Sequence, residues 1–337
     1  MIKDKKKLAR VIATWVVTTV MLSVFILDIA VVAIGNKYVN SIPIEKETFD
    51  NKNGDDKIHF LNTANSDCII LESNGKFALI DSGEGNNNPR RKTEYKGYEA
   101  EVINYIKALA SDKKGNVTFD FALGTHIHYD HIGNFEAIFS DEKITAHKVY
   151  LKKFNIETAT ELEAIGWGNE ETYKNILSVL EKREIPVISD LPTEEFVFGD
   201  FTLRFINAVT PEEVKGNGEN ASSVGVIVKK GDKTAFLAAD FTGDSGLEKI
   251  YGNDIGDVDL LKIGHHGYFG SSSASFLRVV KPEIAICTNK IGKIYPNVKW
   301  NLTMIAKAPV FSTEHRNGII AYFTDDNEIV LTSDIMK

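Results

Sequence analysis

With 337 residues and 43% hydrophobic content, the chain has the length and apolar mass for one large domain or two small ones. Its net charge of −8 is unevenly spread: Lys3, Lys5, Lys6, Lys7 and Arg10 against Asp4 and Asp28 give residues 1–35 a charge of +3, leaving −11 on the rest. An acidic body lacks the basic stripe that a long nucleic-acid footprint needs, but it leaves room for a small phosphorylated substrate held by metals.

Val11 to Leu27 is an uncharged, mostly apolar run that Ile29 to Gly35 extends beyond Asp28, long enough to cross a bilayer. Lysines ahead of it place the N-terminus on the cytoplasmic side by the positive-inside rule, and the body outside. The expected layout is a basic tail at 1–10, an anchor at 11–35, a polar linker at 36–56 and one catalytic domain at 57–337. A signal peptide cleaved after Val31-Val32-Ala33 is the alternative, and would give a secreted protein.

The body opens with strand-like Ile58-His59-Phe60-Leu61, then Asp67 to Glu72, the turn Asn74-Gly75 and Phe77 to Asp81, a hairpin signal. Tyr98 to Ala110 carries helical spacing, Phe119 to Leu123 reads as a strand and Gly133 to Phe139 as a helix. Residues 157–183 read as helices, with Trp167 between glycines. Strands are expected at 196–206, 224–229, 234–239, 258–263 and 284–287, a helix at 272–280 and a hairpin at 319–332. Two strand-rich halves, each with helices, predict two packed sheets covered by helices. Cys68 and Cys287 sit in apolar runs and read as buried thiols rather than a disulfide.

Between the strand at 119–123 and its helix lies Thr125-His126-Ile127-His128-Tyr129-Asp130-His131, with three imidazoles and a carboxylate in six residues. His126 and His128, two apart, share one side of an extended segment and can share one cation. Asp130 and His131 follow where a turning backbone can aim them at a second. Imidazole and carboxylate suit two zinc ions, with manganese or iron as alternatives. A two-metal centre also needs a bridging carboxylate, for which Asp240 after 235–239 fits, and a distant histidine, for which His265 or His266 in Gly264-His265-His266-Gly267 fits. His265 is the preferred of the pair. His59, His147 and His315 read as structural or solvated, and Asp67 and Asp81 as carboxylates that tie loop N–H groups and support the metal loops.

The segment His126 to His131 matches the HxHxDH motif of the metallo-β-lactamase superfamily residue for residue, and the resemblance covers residues 57–335. Leu71 to Glu84 and Val149 to Phe154 look like segments of teichoic-acid phosphorylcholine esterases. Asn220-x-Ser222-Ser223, Phe236 to Asp240 and the double histidine also resemble the ComEC-like branch. The resemblance implies an αββα sandwich. One metal would sit on His126 and His128, the other on Asp130, His131 and one of His265 and His266, with Asp240 bridging and Asp130 and Asp240 as the catalytic carboxylates. It departs from the pattern in offering no further histidine between His147 and His265 for the first metal, leaving water, Asn220 or substrate to fill that place. The implied activity is phosphodiester hydrolysis on cell-envelope polymers or lipid head groups at the outer face of the membrane. A ComEC-like DNA nuclease, a lactone or lactam hydrolase, and a non-catalytic metal-binding or sensor module are the alternatives. Trp167, Tyr268, Tyr295 and Trp300 are candidates for an aromatic cage around a choline-like group, and Asn86 to Tyr98 and 157–183 are candidate lids.

Overall fold

The computed structural model describes residues 5–40, 56–90 and 96–336. It divides into two units, residues 1–43 and 44–337. In the first, one helix runs Lys5–Asn40, so it takes in part of the expected basic tail and the start of the expected linker. Its segment Lys5–Ile34 has a mean hydropathy of 2.5 in an 18-residue window and is wholly exposed, long and apolar enough to cross a membrane or to serve as a signal sequence. Residues 41–55 of the expected linker lie outside the described residues.

In the second unit, two large sheets form among the described residues, beside a two-stranded parallel one of Val117–Phe119 and Ile144–Ala146. The eight-stranded sheet has the spatial order Ile329–Ser333, Ile319–Phe323, Asp56–Phe60, Ile69–Ser73, Lys76–Ile80, Phe121–Gly124, Val149–Leu151 and Val187–Ile188. The seven-stranded sheet runs Val310–Ser312, Ile284–Cys287, Leu260–Lys262, Lys233–Leu237, Gly225–Lys230, Phe201–Ile206 and Phe196–Phe198. Side chains alternate between faces, as period-two strands require. Ile69, Leu71, Ala78, Ile80, Val226, Val228, Leu260 and Ile286 fill the core between the sheets. Ile70 and Leu79 instead face the helices Glu99–Ala110, Phe135–Ser140 and Asn169–Lys182. Ile227, Phe236 and Leu261 face Leu247–Ile255, Ala274–Val280 and Pro296–Trp300. The result is the four-layer αββα sandwich. Asn74 and Gly75 both take left-handed φ values, 50° and 72°, as a two-residue hairpin turn demands.

Strand direction gathers the site. Lys76–Ile80 and Phe121–Gly124 are parallel, as are the successive strands from Lys233–Leu237 through Val310–Ser312. The loops leaving their C-terminal ends therefore meet at one edge, where open α/β sheets place ligands. Asp81, Ala239, His265 and His266 all lie in such loops with φ between 44° and 54°. Non-glycine residues pay about 1–3 kcal/mol each for such backbone, and it persists where the surroundings over-determine it.

Candidate metal centre

Thr125 to His131 leaves the strand Phe121–Gly124 extended and closes into a single helical turn, Tyr129–Ile132. The extended part keeps His126 and His128 side by side, with His126 Nε2 3.1 Å from His128 Nδ1. The turn carries Asp130 and His131 inward, all four being buried. Across the edge, Asp240 follows Lys233–Leu237 and the double histidine follows Leu260–Lys262. The loop at 264 packs so closely that a Cβ on Gly264 would lie 2.2 Å from Phe241 O.

The sequence left open which of the paired histidines joins Asp130 and His131, and preferred His265. The structure brings His266 there instead: it is fully buried, with Nε2 3.1 Å from His131 Nε2 and 3.7 Å from Asp130 Oδ2. His265 turns away because both residues are left-handed, so successive rings do not simply alternate. Its Nε2 lies 3.3 Å from Asn220 Nδ2 and 3.9 Å from Asp240 Oδ2.

Hydrogen bonds around the centre fix where the ring protons go. Thr125 donates its hydroxyl hydrogen to Asp81 Oδ2 at 2.8 Å, so at 3.1 Å it accepts from His126 Nδ1. His128 gives Nε2–H to Glu163 Oε1 at 2.9 Å, and His131 gives Nδ1–H to Asp81 Oδ2 at 2.7 Å. Thr288 donates to Asp67 Oδ1 at 2.5 Å and accepts from His266 Nδ1 at 3.1 Å. Every inner nitrogen (Nε2 of His126, His131 and His266, Nδ1 of His128) is thereby left to present a lone pair to the centre. Two lone pairs 3.1 Å apart repel, whereas two nitrogens sharing one cation at the usual 2.0–2.1 Å stand about 3.3 Å apart. Asp130 Oδ1 and Asp240 Oδ1 are buried without a hydrogen bond, a further sign that cations belong here. The residues fit a pair of metal ions.

Asp240 is placed between the two groups. Its Oδ1 lies 3.2 Å from His131 Nε2 and 3.4 Å from His266 Nε2, while Oδ2 lies 3.7 Å from His126 Nε2. Two donor sets result, His126–His128–Asp240 and Asp130–His131–His266. Electrostatics agree. Burial, with the charges of His131 and His128, drives the His126 pKa well down. Burial would depress His131 too, but the Asp240 and Asp81 carboxylates outweigh it and hold its pKa well above 6.5.

Supporting groups come from far along the chain. Glu163 sits in a capping box with Thr160 and also accepts from Glu219 N at 3.0 Å. Burial pushes its pKa up, yet the hydrogen bond from His128 prevails and holds it at about 2. The sequence reading missed Glu163; Thr160-x-x-Glu163 signals a helix start but not that the carboxylate also reaches His128. Arg90, missed as well, is buried, pairs with Glu84, lies 3.7 Å from Asp130 Oδ1 and faces the Trp167 ring at 5.6 Å. Trp167 in turn packs against His128, ring centroids 4.6 Å apart. Lys262, fully buried, pairs with Asp67 and donates to Ala239 O at 2.9 Å.

A cleft of about 410 Å³ opens over His128, Asp130, Asp240 and His265, and its walls include Arg90, Trp167, Tyr268, Lys290 and Lys293. Of the substrate candidates, Trp167 and Tyr268 thus line it. Tyr295 packs on Tyr268 at 6.2 Å and Trp300 is exposed on the helix beyond. Asn220 reaches the centre through His265. Asp81 supports His131 and Thr125, and Asp67 supports Thr288 and Lys262, as expected of carboxylates behind metal loops. His59 is buried on Tyr105 and Glu72, while His147 and His315 are exposed. Cys68 and Cys287 are buried free thiols. Within the candidate lid at 86–98, residues 91–95 lie outside the described residues.

The family model of the metallo-beta-lactamase superfamily matches residues 61–287, more than half of the chain. The chain belongs to the metallo-β-lactamase superfamily. Among curated proteins, it is 30% identical to Recombination protein 2 of Haemophilus influenzae over 81 residues, covering 24% of this chain and 10% of that protein. It is 25% identical to ComE operon protein 3 of Bacillus subtilis over 179 residues, covering 51% of this chain and 20% of that protein. The chain thus matches no more than about a fifth of the length of these relatives. Among solved structures, the metallo-β-lactamase fold protein YhfI from Bacillus subtilis is similar at 13% identity, covering 77% of this chain and 96% of that one, with a TM-score of 0.47. An isothiocyanate hydrolase from Delia radicum gut bacteria is similar at 11%, covering 80% and 99%, with a TM-score of 0.45.

Proposed function

We propose that this metallo-β-lactamase-fold chain is a two-metal phosphodiesterase. The observation that carries the reading is the Asp240 carboxylate, whose two oxygens face separate histidine groups at the floor of a cleft walled by Arg90, Lys290 and Lys293. His126, His128 and Asp240 would hold one ion, and Asp130, His131 and His266 the other. When bound, two such ions lower the pKa of a water molecule and neutralise charge on the oxygens of an in-line displacement.

The chain's own groups complete the site. Arg90, fixed by Glu84 and stacked toward Trp167, sets a cation beside Asp130 where a non-bridging phosphate oxygen would approach. Lys290, paired with Glu314 at 3.0 Å, and exposed Lys293 extend positive charge along the mouth of an otherwise acidic body. Trp167 and Tyr268 offer flat faces to a choline-like cation or to a base. The envelope substrate goes with the apolar N-terminal helix: as a single-pass anchor behind a basic tail, it would hold the domain at the outer face of the cell membrane. A DNA strand is the second reading, favoured by the similarity to Recombination protein 2 and ComE operon protein 3.

The test is turnover of p-nitrophenylphosphorylcholine, bis-p-nitrophenyl phosphate and a short single-stranded DNA by metal-loaded protein, beside Asp240→Ala. Cleavage of the chromogens, lost in the variant, supports the envelope reading. Cleavage of DNA alone moves the substrate to nucleic acid. Cleavage of none of the three refutes the phosphodiesterase.

A further inference from the structure

A short helix beside the cleft has its polarity reversed. Glu161–Gly166 turns Glu163 inward onto His128, while Leu162 and Ile165, three apart and so on one face, are 73% and 68% exposed. A helix lying on a protein surface normally does the opposite, burying its apolar stripe. Its C-cap is Trp167, which lines the cleft, so the exposed apolar face stands at the cleft's lip. Exposed Ile156 extends that lip, bordering with Ile165 a hollow of about 270 Å³. A second lip follows Tyr268 on the cleft wall. There Phe269, 61% exposed, packs on exposed Tyr295 with ring centroids 5.9 Å apart, and Lys290 and Lys293 come from the segment leading into Tyr295.

We propose that these two lips form a membrane-docking face, so that the cleft opens onto an anionic bilayer and its substrate is an amphiphilic phosphodiester held at the lipid surface. The substrate half rests on the phosphodiesterase reading above; the docking half does not. Exposed apolar side chains around a polar mouth, with lysines and aromatic rings among them, have the composition that beds into a head-group layer. Lys290 and Lys293 give a positive margin to a body that sums to −11 beyond residue 35, and an anionic surface attracts each lysine near it. Aliphatic Leu162 and Ile165 have no flat face on which a base could stack, which sets a bilayer ahead of a nucleic-acid strand. The chain also supplies a tether. Lys5–Ile34 is long and apolar enough to cross a membrane, and residues 41–55 after it reach at most ~50 Å when fully extended. A domain tethered that way stays at the surface, where even a weak apolar face is enough to seat it.

Docking is read without catalysis. Full-length protein is placed in nanodiscs of equal phosphatidylcholine and phosphatidylglycerol, with an environment-sensitive fluorophore on Leu162→Cys, Phe269→Cys or the control Val197→Cys; native Cys68 and Cys287 are buried. Val197 is as exposed as Leu162, but its hairpin is bonded to Ser73, Asp200 N to Ser73 Oγ at 2.7 Å, where the strand leading to Asp81 begins rather than ends. We expect blue-shifted emission and quenching by spin-labelled lipid at the first two positions and neither at the third, with both effects weaker in discs of phosphatidylcholine alone. Leu162→Ser/Ile165→Ser/Phe269→Ser should keep bis-p-nitrophenyl phosphate turnover while release of a labelled head group from phosphatidylethanolamine in the disc falls roughly tenfold or more. Labels at the two lips that behave like the control overturn the docking face. A blue shift without lipid quenching gives the face to a second copy of the chain, and a shift produced by a short single-stranded DNA but not by lipid gives it to nucleic acid; either overturns the proposal. Equal loss on both substrates, or loss on neither, overturns the lipid substrate. Docking by a wild-type protein that cleaves neither phosphodiester removes the phosphodiesterase and the substrate with it, and leaves the docking face standing. Far-UV circular dichroism confirms that each variant is folded.

Discussion

Replacing Lys262 by methionine isolates the buried ion pair behind the centre. Lys262 and Asp67 are 0% and 1% exposed, so truncating the lysine to an apolar side chain of similar length leaves a carboxylate in a dry site without its main counter-charge. Breaking one partner of a buried pair costs about 3–5 kcal/mol. With an unfolding entropy near 2.1 cal/mol/K per residue over roughly 290 residues, about 0.6 kcal/mol/K, that is a fall in Tm of roughly 5–8 °C. The pH dependence follows from Asp67. Burial pushes its pKa up, but Lys262, His266 and His131 together hold it well below 3.8. Its contribution is therefore present above the unfolded-state value and lost only as pH falls through the depressed native one. Without Lys262 burial is less opposed, the carboxyl takes up a proton at higher pH, and the stability gap to wild type should narrow on acidification. Adding Asp67→Asn removes the stranded charge and should recover at least 1 kcal/mol. Differential scanning calorimetry on chelator-treated protein between pH 4 and 8 measures all of this. A Lys262→Met variant within 1 kcal/mol of wild type at pH 7, or a gap that widens toward pH 4, would refute the reasoning.

Glu163→Ala should weaken metal binding at the His126–His128 site about 10–100-fold, because His128 loses the acceptor that fixes its tautomer, with the second equivalent nearly unchanged in chelator competition. The same variant loses the capping box, which should cost about 1 kcal/mol in urea unfolding. Gly264→Ala, whose methyl would meet Phe241 O at 2.2 Å, should drive the double-histidine loop off its seat; metal content by mass spectrometry of the purified variant is expected below one ion per chain. The Lys5–Ile34 segment, if retained as an anchor, keeps the full-length chain in the membrane pellet through a carbonate wash, and N-terminal sequencing that begins beyond Ala33 would show cleavage instead.

Much of the site was legible because four ligands are contiguous: an extended Thr125–His128 followed by one helical turn converts local spacing directly into geometry. Asp240 was legible as a carboxylate ending an apolar strand. The double histidine was legible as a candidate pair, but not which of the two joins Asp130 and His131, since side-chain direction can be read from spacing only while the backbone stays regular, and two left-handed residues break that rule. Glu163 and Arg90 were hidden for another reason: they reach His128 and Asp130 from 35 and 40 residues away, across loops with no periodic signal. In the fold, two packed sheets under helices were expected from the two strand-rich halves, and the αββα order from the family resemblance. The helix Leu247–Ile255 had no sequence expectation: Gly252, Asn253 and Asp254 are weak helix formers, and the helix packs on Ala274–Val280.

The central claim is a two-metal hydrolytic centre bridged by Asp240. Its most direct test is metal content per chain, read together with bis-p-nitrophenyl phosphate turnover in the same samples of wild type and Asp240→Ala. Two ions per wild-type chain with chelator-sensitive turnover are expected, and loss of both turnover and at least one ion in the variant. Wild-type protein that binds no metal after supplementation, or an Asp240→Ala variant that keeps two ions and full activity, would contradict it.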